Sequence, residues 1–416
     1  MKKTLGLTLL IILSLSALSI IALNVGAQES AGSWPMYHHN LAHTGSTTAV
    51  PATINQTLWT FTTNGPVWSS PAVVDGFVYV GSFDHFVYAI DALVGAKNWS
   101  YQTSGQIYSS PAVANGIVYI GSNDRNLYAL NATNGDLVWN YSTGNPVQSS
   151  PAVSNGVVYV GSNDDNLYAL DATNGALVWK FVTGSDVISS PAIVDGVVYF
   201  GSYDRRIYAV DAVTGAQKWN FTAGGVIESS PLVAKGMLYF GCYDNKTYAL
   251  DIATGTSKWN FTTGYDLCVQ ASPAFANNIV YTGDAYDGNV YAIDATSGAK
   301  LWNYTLGGGV ICAPAIAGNT IYVNSRDFEH SRDNGTYALD ATTGTLLWSH
   351  QAEGQIYSSP AVSSGVVYIG AHDKKVYAIG QPPTTNNSNT YYIVLAAIAI
   401  IVVVILVVVV FMRRRQ

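Results

Sequence analysis

Ser189-Ser190-Pro191-Ala192-Ile193-Val194-Asp195-Gly196-Val197-Val198-Tyr199-Phe200 contains two short strand signals around a two-residue turn. Asp-Gly supplies a pair that tolerates positive φ in a tight hairpin, and the β-branched and aromatic residues on either side suit a buried pleated surface. Gly201-Ser202-Tyr203-Asp204 then turns the chain into a third strand, Ile207-Tyr208-Ala209-Val210, and Asp211-Ala212-Val213-Thr214-Gly215 leads to a fourth, Lys218-Trp219-Asn220-Phe221. The unit is repeated along the chain. Its proline recurs at Pro71, Pro111, Pro151, Pro191, Pro231, Pro273, Pro314 and Pro360, at spacings of 40, 40, 40, 40, 42, 41 and 46 residues. Its tryptophan recurs at Trp59, Trp99, Trp139, Trp179, Trp219, Trp259, Trp302 and Trp348. A unit of this length made only of short strands predicts a β-propeller of four-stranded antiparallel blades.

The count predicts eight blades and a closed ring. The last unit, Ser358 to Gly380, holds three strands and no tryptophan, while the chain opens with an orphan fourth strand, Thr57-Leu58-Trp59-Thr60-Phe61. If that strand completes the last blade, the ring has no exposed edge. The expected organisation is a signal peptide at 1–27, an N-terminal extension at 28–50, the propeller at 51–380, a linker at 381–390, a transmembrane helix at 391–412 and a basic tail at 413–416.

Ala209-Val210-Asp211-Ala212-Val213-Thr214-Gly215-Ala216-Gln217-Lys218-Trp219 resembles the A-x-D-x-x-T-G-x-x-x-W motif of PQQ-like (quinoprotein-type) propeller repeats, with departures such as Asn131 for Asp and Val94 for Thr. The family includes quinoprotein dehydrogenases and BamB-like assembly scaffolds. The resemblance implies that each motif tryptophan packs between neighbouring blades and that the Thr-Gly turn bonds across the junction.

The two ends of the chain suggest a compartment. Lys2-Lys3, the apolar run from Leu5 to Leu23 and small residues near Val25-Gly26-Ala27 read as a secretory leader. Tyr391 to Met412 is uncharged and long enough to span a bilayer, and Arg413-Arg414-Arg415 should stay cytoplasmic. The expectation is a type I single-pass cell-membrane protein with its propeller outside the cytoplasm. The chain carries −7; without the leader's two lysines and the tail's three arginines the remainder is about −12, which argues against nucleic-acid partners. Ten glycosylation sequons, at Asn55, Asn98, Asn131, Asn140, Asn220, Asn245, Asn260, Asn303, Asn334 and Asn386, suit an exterior domain, although W-N-[YF]-[ST] is also good strand sequence. Cys242, Cys268 and Cys312 allow a Cys268–Cys312 bridge or buried free thiols.

Little in the sequence reads as catalytic. Asp84, Asp124, Asp164, Asp204, Asp244 and Asp373 occupy turns, where Asp bonds its own backbone. Trp34-Pro35-Met36-Tyr37-His38-His39-Asn40 with His43 reads as a strand or cap packed on the propeller, not as a metal site. No catalytic residue, metal or cofactor is expected. The departures from the period are better clues: two residues added in Gly264–Cys268, one in Asp284–Gly288, and six between Asn324 and Tyr337, giving Arg326-Asp327-Phe328-Glu329-His330-Ser331-Arg332-Asp333. All fall on the face that carries the fourth-to-first and second-to-third connections. The same face receives a variable position three residues before each proline: Trp68, Tyr108, Gln148, Ile188, Glu228, Gln270, Ile311 and Tyr357. These side chains either form a binding surface at the mouth of an axial channel or fill gaps between blades. Trp68, Tyr108, Gln148, Glu228, Gln270 and Tyr357, with Arg326, Glu329, His330 and Arg332, are the candidate binding residues.

The favoured function is a membrane-anchored, non-enzymatic binding or assembly scaffold with a protein or glycan partner on that face. A PQQ-using quinoprotein dehydrogenase and a structural or adhesive envelope protein are the alternatives. Dehydrogenases of the family often carry an adjacent cysteine pair; here the cysteines are separate.

Overall fold

The computed structural model describes residues 33–264, 268–326 and 333–381. The expected leader, transmembrane helix and basic tail, and all of the linker beyond Gln381, lie outside the described residues; among those described, no helix is long and apolar enough to cross a membrane. Eight antiparallel sheets form the blades of a propeller. The first blade runs Ala72–Val74, Phe77–Gly81, Phe86–Asp91 and Lys97–Gln102 from the axis outward. Its two middle strands are buried on both faces because a blade lies on either side, whereas the outermost strand alternates between exposed and buried. The first hairpin is the predicted one, with Asp75 at φ 51° and Gly76 at φ 80°. Both residues in the left-handed region give the turn a twist that matches the strands it joins.

The blades are joined by the repeat tryptophans. Trp139 of the second blade gives its indole N–H to the Ala172 carbonyl of the third at 3.0 Å, and the equivalent bond is made by all eight repeat tryptophans. The glycine of each Thr-Gly or equivalent turn lies under the ring: a Cβ at Gly175 (φ 73°) would sit 2.7 Å from Trp139 Cε3. The tie across the junction therefore runs from the indole to the residue after the motif Asp, and the turn's glycine makes room for it. Strand-two tyrosines reinforce several junctions by donating to the same carbonyls, as Tyr119 does to Ala172.

Ring closure follows the sequence expectation. Thr57–Thr62 pairs antiparallel with Lys375–Gly380, placing Trp59 opposite Ala378, and becomes the outer strand of the eighth blade. The turn that is continuous elsewhere is here made from two distant segments. Gln381 Oε1 accepts from the backbone and hydroxyl of Thr53, and Ala52 supplies the carbonyl for Trp348 and Tyr322.

The N-terminal extension departs from the simple four-stranded plan. Residues 34–47 thread the axis, and innermost strands bind their backbone: the N–H groups of Val73, Val113, Ile193, Val233, Phe275 and Ile316 donate to the carbonyls of Trp34, Pro35, Leu41, Ala42, Thr44 and Gly45. Ser46–Thr47 adds a parallel fifth strand to blade seven, opposite Ile316 and Ala317. The expected channel is thus plugged, because inner edges that would leave N–H groups unpaired are satisfied by the chain's own start.

Trp139→Ala is expected to cost about 3–5 kcal/mol, and Gly175→Ala should also destabilise, since it both strains a positive φ and pushes on the same ring; urea unfolding measures both. A chain lacking residues 1–50 loses the plug, and one lacking 1–64 also loses the closing strand. Thermal denaturation should show two successive drops in Tm, and equal Tm values for the two truncations would refute closure by Thr57–Thr62.

Candidate functional site

Above the plug, the starts of the innermost strands surround a funnel of about 360 Å³. The residue four before each proline, Val or Ile throughout, is fully buried, and the variable residue after it is half-buried and faces the funnel. Trp68, Tyr108, Gln148, Ile188, Glu228, Gln270, Ile311 and Tyr357 are all brought together there, with Arg326. Glu329, His330 and Arg332 lie outside the described residues.

A second ring, not recognised from the sequence, sits at the second-to-third turn of each blade. Phe83, Asn123, Asn163, Tyr203, Tyr243, Ala285, Arg326 and His372 each give a backbone N–H to the preceding fourth-to-first loop, as Phe83 does to Pro66 and Arg326 to Gly309. Each lies fifteen residues after a variable position of the first ring. This register corrects the expected insertion in blade seven. Arg326 occupies the frame position of Phe83, and Asp333 takes the frame role of Asp84 by accepting from the Tyr337 hydroxyl as Asp84 does from Tyr88. The six added residues are therefore 327–332. The turn aspartates are structural throughout the regular blades: Asp84 holds Phe86 N–H, Asn64 N–H and the Tyr88 hydroxyl.

The first ring, with Tyr203 and Arg326 of the second, lines the funnel, and its two sides are unlike. On one side Trp68 and Tyr357 stack at 3.9 Å and 6°, Phe83 and Tyr108 flank Trp68, and His372 meets both stacked rings edge-on. The Arg326 guanidinium lies over Tyr357, 4.8 Å from its centroid, a cation–π contact. On the other side Glu228 Oε2 accepts from the hydroxyls of Tyr203 (2.8 Å) and Tyr243 (2.5 Å), and Oε1 from the Gln270 amide (2.8 Å). Burial and the adjacent carboxylate push both phenols far above their usual range, so they act as donors.

The floor is built from the serine that directly precedes the repeat proline in seven of the eight units. Ser110 Oγ accepts from Ser70 N–H, Ser150 from Ser110, Ser190 from Ser150, Ser230 from Ser190 and Ser272 from Ser230; Ser359 and Ser70 continue the ring. Ala313 interrupts it. Tyr37 rises from the plug and donates to Ser272 Oγ at 3.0 Å.

Beneath the floor, His38 Nδ1–H donates to the His43 carbonyl and His43 Nδ1–H to that of Pro231. Burial lowers His38 to about 4 and His43 to about 3. Among the described residues no cluster of His, Cys, Asp or Glu could hold a metal. The three cysteines are free thiols, two of them buried, so the Cys268–Cys312 bridge is not formed. Of the candidate glycosylation sites, Asn55, Asn98, Asn140, Asn220, Asn260 and Asn303 are exposed, Asn131, Asn245 and Asn334 are half-buried, and Asn386 lies outside the described residues.

A family model described as "Outer membrane protein assembly factor BamB" matches overlapping segments that together run from residue 42 to 382. No curated protein sequence matches the chain. Among solved structures, BamB from Moraxella catarrhalis aligns with a TM-score of 0.66 at 21% identity, over 79% of this chain and 98% of that one. The quinohemoprotein alcohol dehydrogenase of Comamonas testosteroni aligns at 0.72 and 16%, over 87% and 82%. A europium-containing methanol dehydrogenase aligns at 0.70 and 15%, over 85% and 99%. At these identities the structural likeness establishes the fold alone.

His38 and His43 are neutral when folded and titrate near 6.5 when unfolded, so the unfolded chain binds more protons and stability falls as pH drops from about 6.5 towards 4. Each buried histidine contributes a slope of up to about 1.4 kcal/mol per pH unit. Thermal melts from pH 7.5 to 4.5 should show this loss, and His43→Gln should flatten it.

Proposed function

The chain belongs to the PQQ-like β-propeller repeat family, and from that footing we propose that it is a membrane-anchored, non-enzymatic binding or assembly scaffold whose funnel face engages a protein partner. The packing of the funnel's aromatic residues carries this reading. Tyr357 has Trp68 stacked on one face and Arg326 on the other, while Trp68 is also flanked by Phe83 and Tyr108. The rings are held against one another instead of presenting an open platform for a planar redox cofactor. What they offer outward is edges, hydroxyls, amides and one cation, a composition that suits the core and rim of a protein interface.

A rigid mount supports the same reading. The ring is closed and the axis plugged, so side chains on the funnel face are held by a scaffold that does not have to reorganise to bind. Anchoring rests on the apolar run at 391–412 followed by Arg413-Arg414-Arg415, and an exterior location rests on the leader. Assembly is the role named for the family model and is carried to this chain as part of the proposal.

Affinity capture from native membranes with the full chain tests it. Tyr357→Ala, with folding checked by melting temperature, should reduce recovery of a specific partner at least about tenfold, while Asn174→Ala on the opposite face should leave it unchanged. Equal effects of the two substitutions would count against the funnel. Dye-linked oxidation of alcohols or sugars after loading with pyrroloquinoline quinone and calcium is the companion assay, and sustained turnover would overturn the non-enzymatic reading.

A further inference from the structure

The funnel floor carries an excess of hydrogen-bond donors. Seven serine hydroxyls, Ser70, Ser110, Ser150, Ser190, Ser230, Ser272 and Ser359, line it and are only 3–7% exposed. Each oxygen already accepts a backbone N–H from a neighbouring blade at 2.8–3.0 Å. A hydroxyl has one proton to give, and on this floor Tyr37 donates to Ser272 Oγ and has its own oxygen close to Ser230 and Ser359, where it can take a proton from one of them. The serine one position earlier shows the contrast: Ser149 accepts from Gly161 N–H and gives its proton to the Ser189 carbonyl, so it is complete within the framework. The serines before the prolines converge on one axis, largely shielded from water, with their protons not taken up by the framework.

Such a floor suits a group that accepts several hydrogen bonds and donates none. A sugar hydroxyl or an amide brings protons of its own; a carboxylate brings two oxygens with about four acceptor positions and no donor. Hydrogen bonds to an ionised acceptor are roughly twice as strong as neutral ones. The wall holds one cation, Arg326, and one carboxylate, Glu228, whose oxygens are turned towards Tyr203, Tyr243 and Gln270, so its charge is balanced and a doubly charged anion is opposed more than a singly charged one. The cavity, about 360 Å³, has room for the last residues of an extended chain and not for a folded domain. We propose that the serine ring is a carboxylate-binding floor and that it receives the free C-terminal carboxylate of a partner polypeptide. The proposal rests on the scaffold reading above and names the chemical group that reading would recognise.

Isothermal titration of the full chain separates the possibilities. The probes are Ac-Gly-Ser-Gly-Ala-Ala with a free C-terminus, the same peptide as its C-terminal amide, and sodium propionate. The free acid should bind at least about tenfold more tightly than the amide, as expected for loss of charge-assisted hydrogen bonds. Propionate should compete with it weakly. Ser150→Ala should reduce free-acid affinity several-fold, and Ala313 shows that the ring accommodates an alanine; Ser142→Ala, on an outer strand, should change nothing. Equal affinity for acid and amide, no measurable binding of either, or indifference to Ser150→Ala would overturn the carboxylate floor. Propionate binding as tightly as the peptide acid would overturn the polypeptide as its source. These outcomes are separable from failure of the scaffold reading: partner capture that depends on Tyr357 but ignores the carboxylate leaves that reading standing, and carboxylate binding without any partner capture would remove it.

Discussion

Every blade is held to the next by an indole that gives its N–H to a neighbour's turn carbonyl, and at seven of the eight junctions the ring rests on that turn's glycine, Trp348 with its partner Ala52 being the exception. The constraint has two parts. The glycine must lack a side chain, because any Cβ would fall within the thickness of the ring, and it must hold a positive φ to bring the turn beneath the indole. The indole must find an acceptor, because a buried N–H without one is costly. Period, turn chemistry and tryptophan spacing follow from satisfying the indole eight times around a circle and the glycine at the seven junctions whose turn is continuous.

Closing that circle joins segments that are far apart in sequence. Residues 52–62 supply to the eighth blade both an outer strand and the carbonyl that its neighbour's tryptophan requires. The segment just before them occupies the axis and pairs with inner edges that a propeller leaves unpaired. One stretch of about thirty residues therefore stabilises the rim and the centre of the ring together. Its interior position explains why His38 and His43 are kept neutral: both are fully enclosed, and each uses one ring nitrogen to tie the plug to a carbonyl.

A nearly symmetric scaffold carries an asymmetric funnel because two positions of each repeat, fifteen residues apart, vary from blade to blade at its mouth. The first ring places Trp68, Tyr108 and Tyr357 on one side and Glu228 and Gln270 on the other; the second adds Phe83, Arg326 and His372 to the aromatic side and Tyr203 and Tyr243 to the acidic side. Below them the floor stays almost regular, since each of its serines also serves the framework by accepting a backbone N–H. Recognition chemistry can thus vary on the walls while the floor keeps a constant array of hydroxyl donors.

Much of this was legible in the sequence. Periodicity, hairpin pairs such as Asp195-Gly196 and the split last unit are local or counting signals, and they determined the fold class, the eight blades, the closing strand and the first ring of funnel residues. The second ring was missed because Phe83, Tyr203 and His372 stand in turns that read as connections; the signal was their variability at a fixed fifteen-residue offset from the first ring. The placement of Arg326 was obscured by the added residues and became clear only from its backbone bond to Gly309. Only the tertiary structure decided that residues 34–47 fill the axis, that Trp68 and Tyr357 stack on each other, and that the serines before the prolines form a ring. The reason is physical: these are contacts between residues tens to hundreds of positions apart, fixed by the closure of the ring, and a repeat unit carries no record of what meets across the axis it surrounds.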